Sequence, residues 1–89
     1  MPTVAFTSAL QRFLPVPAAQ VPGTTVRDAL AAVFATRPAL RGYILDDQGV
    51  LRRHVNVFVN GELVRDRNGL TDAVGDLDEI CVFQALTGG

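Results

Sequence analysis

The sequence predicts an α+β fold, a sheet of four to five strands with one main helix packed on one face. Three observations predict it. Residues 24–37 carry helical spacing of apolar side chains, and the segments around Phe6, Val57 and Val82 alternate with a period of two. Their order along the chain is strand, strand, helix, strand, strand, strand, which leaves a single amphipathic helix to cover one sheet face. The other face then meets solvent, so apolar residues on it need a reason.

Val4, Phe6 and Ser8 alternate with Ala5, Thr7 and Ala9, and this first strand segment runs to Leu14 before Pro15 and Pro17 interrupt it. Ala18 to Val21 forms a second, edge-type strand, because Pro22-Gly23 closes it and a proline cannot donate to a ladder. The two make a hairpin. Thr24 or Thr25 then offers an N-cap, Asp28 puts a negative charge in the first turn, and Val26, Ala29, Leu30, Val33 and Phe34 form one apolar stripe. Pro38 ends that helix, with a further short turn over Ala39 to Tyr43.

Asp46-Asp47-Gln48-Gly49 reads as an exposed turn. The strongest strand is His54 to Asn60, with Val55, Val57 and Val59 on one face and Asn60-Gly61 as the following hairpin turn. Glu62 to Asp66 returns, Arg67-Asn68-Gly69 breaks it, and Leu70 to Val74 forms a short helical turn. Gly75-Asp76 leads into a last strand from Glu79 to about Ala85, in which Ile80 and Val82 alternate with Cys81 and Phe83.

The bulk numbers fit one domain over residues 1–89, since 89 residues cannot supply two useful cores. With 48% hydrophobic and 19% charged residues, the chain lies well outside the composition of disorder. Eight basic residues oppose nine acidic ones for a net charge of -1, with no run of either sign, which argues against nucleic acid and against an anionic membrane as partners. A lone cysteine, Cys81, permits no internal disulfide and suits a reducing compartment. The N-terminal residues have no signal-peptide pattern, and the apolar stretch Ala29 to Ala35 is far shorter than the roughly 20 residues of a membrane span. The expected location is the cytoplasm.

There is no phosphate-loop motif, no metal-ligand spacing and no Ser/His/Asp set. His54 reads as a strand-start residue, with no second His to make a ligand pair. Cys81 reads as a small strand residue, with no basic neighbour in sequence to create a thiolate. Asp76, Asp78 and Glu79 read as a solvated turn. All eight basic residues are Arg, so the chain has no side-chain amine. That is either compositional bias or protection for an activated acyl group against internal nucleophiles.

Four segments together resemble a known family. They are His54 to Gly61 (HVNVFVNG), Gly75 to Glu79 (GDLDE), Ile80 to Gly89 (ICVFQALTGG) and the helix start Thr25 to Leu30 (TVRDAL). They are similar to the ubiquitin-like β-grasp sulfur carriers related to MoaD and ThiS. Two positions depart from the family pattern: Gln84 stands where many members have Pro, and Leu77 where Gly is more usual. The inserted turn from Asp46 to Arg53 resembles the carriers that supply sulfur for cysteine synthesis, or their close relatives, more than the shortest thiazole-pathway carriers.

The resemblance implies a β-grasp fold with a mixed sheet and a flexible C-terminal tail over residues 85–89, Thr87-Gly88-Gly89 at its end. It implies that the reactive group is the C-terminal carboxylate of Gly89. An adenylating enzyme of the ubiquitin-activating type would use ATP to activate it. A sulfur donor such as a desulfurase or rhodanese-like protein would convert it to a thiocarboxylate. A downstream enzyme making molybdopterin, cysteine, thiazole or a secondary metabolite would accept the sulfide. The chain would then be a co-substrate, monomeric when free, with no catalytic residue, metal or bound cofactor of its own. Two alternatives stay open: a ubiquitin-like modifier joined through Gly89 to target lysines, and a β-grasp interaction module with an inert tail.

The tail suits this chemistry. A terminal carboxylate, with a pKa of about 3.5, is ionised at neutral pH and has no good leaving group, so it needs activation. From Ala85 to Gly89 an extended chain reaches roughly 15 Å, and glycines without Cβ atoms pass a constriction that excludes other residues. Ordering such a tail on binding must be offset by contacts elsewhere, for which Phe83 and Leu86 are the candidates. If Ile80 and Val82 face the helix, alternation turns Phe83 to the open face beside the tail; the opposite register would bury it. The resemblance favours the docking role.

Overall fold

Burial follows the two-residue period of the strands and the 3.6-residue period of the helix, and the two patterns meet in one core. The computed structural model describes residues 1–6 and 17–84, the last of these as backbone. The predicted extension of the first strand to Leu14, and the tail over residues 85–89, lie outside the described residues. The elements are β1 (Thr3–Phe6), β2 (Ala19–Gln20), α1 (Val26–Thr36), α2 (Pro38–Ile44), β3 (Val55–Val59), β4 (Glu62–Leu63) and β5 (Glu79–Gln84).

The sheet order is β2-β1-β5-β3-β4. β5 runs parallel to β1 and antiparallel to β3, so the last strand is the central one, bonded on both flanks. The sheet is therefore mixed, as the resemblance implied, and its edges are strands of two residues each. Val4, Val55, Val57, Ile80 and Val82 are fully buried against α1, whose Val26, Ala29, Leu30, Val33 and Phe34 form the facing stripe.

α1 begins where the sequence places it. The Thr25 hydroxyl accepts from the Asp28 amide at 3.1 Å, and Asp28 lies in the first turn. Pro38 does end this helix, but it also starts another. Its missing N–H is one that a helix start leaves unbonded anyway, so it sits at the beginning of the seven-residue α2, where only a short turn was expected. Leu40 and Ile44 of α2 enter the core.

Two further expectations are corrected. The returning strand is Glu62–Leu63 only, because the Arg65 and Asp66 amides turn away to the Asp72 carboxylate at 2.9 and 3.0 Å. Leu70 to Val74 is not helical. The carbonyls of Leu70 and Asp72 accept from the Arg27 and Val26 amides at 2.9 and 3.0 Å, and Ala73 bridges Thr25. The segment instead runs past the start of α1 and satisfies its first amides, which have no partner within the helix.

Gly23 is the tightest point of this N-terminal junction. It has a φ of +145°, and a Cβ there would come within 2.8 Å of the Ala29 nitrogen. We expect Gly23→Ala to lower stability by about 1–3 kcal/mol, read as a drop in the urea midpoint with an unchanged m-value. A wild-type midpoint would refute this account.

Candidate functional site at the base of the tail

Alternation along β5 divides its side chains between two surfaces. Ile80 and Val82 are 0% exposed, whereas Phe83 is 48% exposed on the face away from α1. The ladder sets Cys81 between Ala5 and Phe58, sets Phe83 opposite Asn56, and sets Phe58 opposite Leu63. Residues opposite one another share a face, so Ala5, Cys81, Phe83, Phe58 and Leu63 form one apolar strip on the open side. Phe58 and Phe83 meet edge to face, with ring centroids 6.5 Å apart and planes at 74°. Leu63, at 51% exposure, continues the strip to the sheet edge.

Val55 pairs with Gln84, which brings Arg52, Arg53 and His54 to the point where the chain leaves the sheet. Leu86, Thr87, Gly88 and Gly89 lie outside the described residues. Phe83 is thus the described candidate residue nearest to the tail.

The other chemistry-bearing residues have structural tasks. Burial, followed by the negative charge of Glu79, raises the pKa of Cys81 above its ordinary value, so it is a thiol and a poor nucleophile. The Asp78 carboxylate accepts from the Gly75 amide and from the Asn60 side-chain amide, both at 2.8 Å. Asn60 in turn accepts from the Glu79 amide at 2.9 Å. The acidic turn is thereby tied to the hairpin turn, where Asn60 and Gly61 have φ of 51° and 85°. Leu77, at the tip of the acidic turn, is 98% exposed. Asp76 lies 3.2 Å from the Met1 ammonium, an exposed pair worth little.

Asp66, Asp72 and Asp78 share one electrostatic pattern. Each has a pKa below its ordinary value because hydrogen bonds favour the carboxylate. The main donors are the Gly69 amide and Thr71 hydroxyl for Asp66, the Arg65 and Asp66 amides for Asp72, and the Gly75 amide and Asn60 side chain for Asp78. A general acid needs the opposite shift. A depressed folded-state pKa adds stability above the unfolded value of about 3.9, and this is lost as pH falls through the folded value. The urea midpoint should therefore hold from pH 7 to 5 and fall below about pH 4. Asp72→Asn should lower the neutral-pH midpoint and flatten the acid slope; an unchanged slope would count against this assignment.

Among the described residues, no three His, Cys, Asp or Glu side chains converge to hold a metal ion, and no helix is long and apolar enough to cross a membrane. Two grooves, of about 660 and 490 Å³, include neither Phe58 nor Phe83. What the geometry offers is an exposed, largely apolar strip ending at Phe83, next to the end of β5. Sequence reasoning singled out Phe83 but missed Phe58. The signal was there, since Val55, Val57 and Val59 on one face leave Phe58 on the other.

Comparison with known proteins gives one consistent picture. Residues 15–89 match the ThiS family. Small archaeal modifier protein 1 of Haloferax volcanii is 38% identical over 65 residues, 73% of this chain and 70% of that protein. The sulfur carrier protein CysO of Mycobacterium tuberculosis is 44% identical over 69 residues, 75% of this chain and 74% of that protein. Among solved structures, the Amycolatopsis orientalis BexX/CysO complex aligns with a TM-score of 0.83 and 27% identity over 100% of both chains. The α+β fold inferred from the sequence is thus a β-grasp fold shared with these proteins.

Proposed function

Because this chain belongs to the ThiS family, we propose that it is a sulfur carrier working through the carboxylate of Gly89. The observation that carries this reading is the matched segment itself, which runs through the central strand β5 into Thr87-Gly88-Gly89. The homologue named as a sulfur carrier supports it. The crystallised complex of a CysO with a second protein supports a partner-dependent role.

In this reading the Gly89 carboxylate attacks the α-phosphorus of ATP on an adenylating enzyme, releasing pyrophosphate and leaving an acyl-adenylate. The terminal sulfur of a persulfide on a desulfurase or rhodanese-like donor adds to the acyl carbon and expels AMP, and a thiol reductant, itself oxidised to a disulfide, then cleaves the S–S bond to leave the thiocarboxylate. The resulting thiocarboxylate gives its sulfur to a biosynthetic acceptor, and the carboxylate returns. The chain supplies no acid, base or cofactor; ATP is consumed by the partner. A reducing cytoplasm suits this chemistry. Its own contribution is position, with Phe83 and Leu86 as docking contacts and two glycines as a side-chain-free lead into the partner's channel.

A specific observation favours a second reading. The homologue named a modifier protein is 38% identical, so transfer of the same acyl group to lysines of other proteins is the competing fate. Both fates begin with one adenylate. Intact mass after incubation with ATP, the adenylating enzyme and a sulfur donor separates them. Exchange of one oxygen for sulfur at the C-terminus supports the carrier. Adducts on target lysines, without that exchange, support the modifier. No change of either kind leaves an inert interaction module and overturns the proposal.

A further inference from the structure

The α-amine of Met1 and the exit of the tail lie at opposite ends of the central strand. β1 and β5 run parallel with Thr3 paired to Glu79, so Met1 lies beyond the start of β5, its ammonium 3.2 Å from Asp76. The chain leaves the sheet at the other end, after Gln84. From Glu79 to Gln84 the strand spans about 17 Å at about 3.3 Å per residue, and the ammonium lies farther still. An extended chain from Ala85 to Gly89 reaches roughly 15 Å, so this amine is out of range of an acyl group on Gly89.

The cations that are in range are arginines. Val55 pairs with Gln84, which puts the Arg53 Cα within about 13 Å of the exit and Arg52 one residue further along the chain. Arg67 joins them, with Nη1 donating to the Asn56 side-chain oxygen at 2.9 Å and Nη2 to the Arg52 carbonyl at 3.0 Å. Arg52 has its own task, since its Nε donates to the Gly42 carbonyl at 2.7 Å. Arg53 has none. It is exposed and, among the described residues, forms no hydrogen bond or ion pair, so packing gives no reason to prefer a guanidinium to an ammonium there.

The two groups differ as nucleophiles. A guanidinium stays protonated, whereas a lysine with a pKa of about 10.4 is about 0.1% free amine near pH 7.5. Tethering offsets so small a fraction, because positioned intramolecular groups reach effective molarities of about 10⁵ M or more. The amine nitrogen would bond to the acyl carbon, AMP would leave from the acyl-adenylate, and a proton would pass to water. The resulting amide ends the cycle. Attack by His54 or Cys81 would not, since an acyl-imidazole or a thioester is still activated and passes its acyl group on.

We infer that Arg53, with Arg52 and Arg67, forms a non-nucleophilic cationic collar at the exit of the tail, which keeps an activated acyl group on Gly89 available to an outside acceptor. These residues determine the fate of the group: transfer outward instead of closure onto the chain. The inference rests on the reading that Gly89 is activated, and it applies to carrier and modifier alike.

The test bypasses the adenylating enzyme. The full chain is prepared by intein cleavage as a C-terminal thioester of 2-mercaptoethanesulfonate and followed by intact mass near pH 7.5. The wild type should only hydrolyse. Arg53→Lys should lose its thioester about tenfold faster and form a lactam, lighter than its own free acid by one water, at a rate independent of protein concentration. Leu77→Lys puts the same amine at the far end of β5, at a position 98% exposed, and should keep the wild-type lifetime. Both variants should keep the wild-type urea midpoint. A wild-type lifetime in Arg53→Lys, with no lactam, would overturn the inference, and so would a Leu77→Lys chain that closes equally fast. Failure of the sulfur-carrier reading would show separately, as no pyrophosphate release from the wild-type chain with ATP and the adenylating enzyme.

Discussion

Deletion of Gly89 is expected to abolish thiocarboxylate formation while leaving the fold intact. Losing one residue draws the terminal carboxylate back by about 3.3 Å, and a displacement of only about 1 Å at a reacting centre can cost roughly a hundredfold. Turnover should therefore fall by more than about a hundredfold, measured as loss of pyrophosphate release and of the sulfur-exchanged mass. Gly88→Val should act similarly by another route, because a β-branched side chain is both wider and stiffer than the channel logic allows. Neither change touches the paired strand, which ends at Gln84, so thermal unfolding should match the wild type. A truncated chain that still gained sulfur would remove Gly89 from the chemistry.

The second large effect is expected at Phe83. Exposed aromatics at the centre of an interface are typical sites of high binding energy, and truncation commonly costs about 2 kcal/mol or more, near thirtyfold in affinity. Phe83→Ala should raise KM on that scale with little change in kcat. Its cost to stability should stay within about 0.5–1.5 kcal/mol, since what the fold loses is the edge-to-face contact with Phe58. Ile80→Ala is the contrasting control. The side chain is fully buried three residues earlier on the same strand, so its loss should cost about 2–5 kcal/mol and show in the urea midpoint. If Phe83→Ala behaved like Ile80→Ala, unfolding more easily with unchanged KM, the ring would be a packing residue.

Local pattern made much of this legible from sequence. The stripe from Val26 to Phe34 and the Thr25 cap placed α1, and the alternation of Ile80 and Val82 with Cys81 and Phe83 divided the last strand into two faces, of which the resemblance picked the open one. Asn60-Gly61 marked a turn whose two positive φ angles the structure displays. What stayed hidden was non-local. Nothing near Leu70 to Val74 announces that its carbonyls serve the amides of a helix more than forty residues earlier, so its apolar residues looked like a helical turn. Pro38 was read as a stop, although the same ring geometry serves equally as a start. Arg67 lies in a turn, where its reach back to Asn56 and Arg52 depends on the whole course of the loop. The resemblance implied a mixed sheet without saying which strands run parallel, and the structure supplies the pairing of β1 with β5.

That pairing has a mechanical consequence. In the proposed sulfur-carrier role, a partner that draws the terminus into a channel would apply tension to β5 along its own axis. The strand is gripped on one flank by β1 and on the other by β3. Its ladder bonds lie across the direction of pull and share the load, so they must yield together in shear and cannot open one at a time like a zipper. An edge strand carrying the same tail would peel. If Gly89 is the reactive terminus, its attachment to the central strand would let the chain be held by its end, released and used again without unravelling.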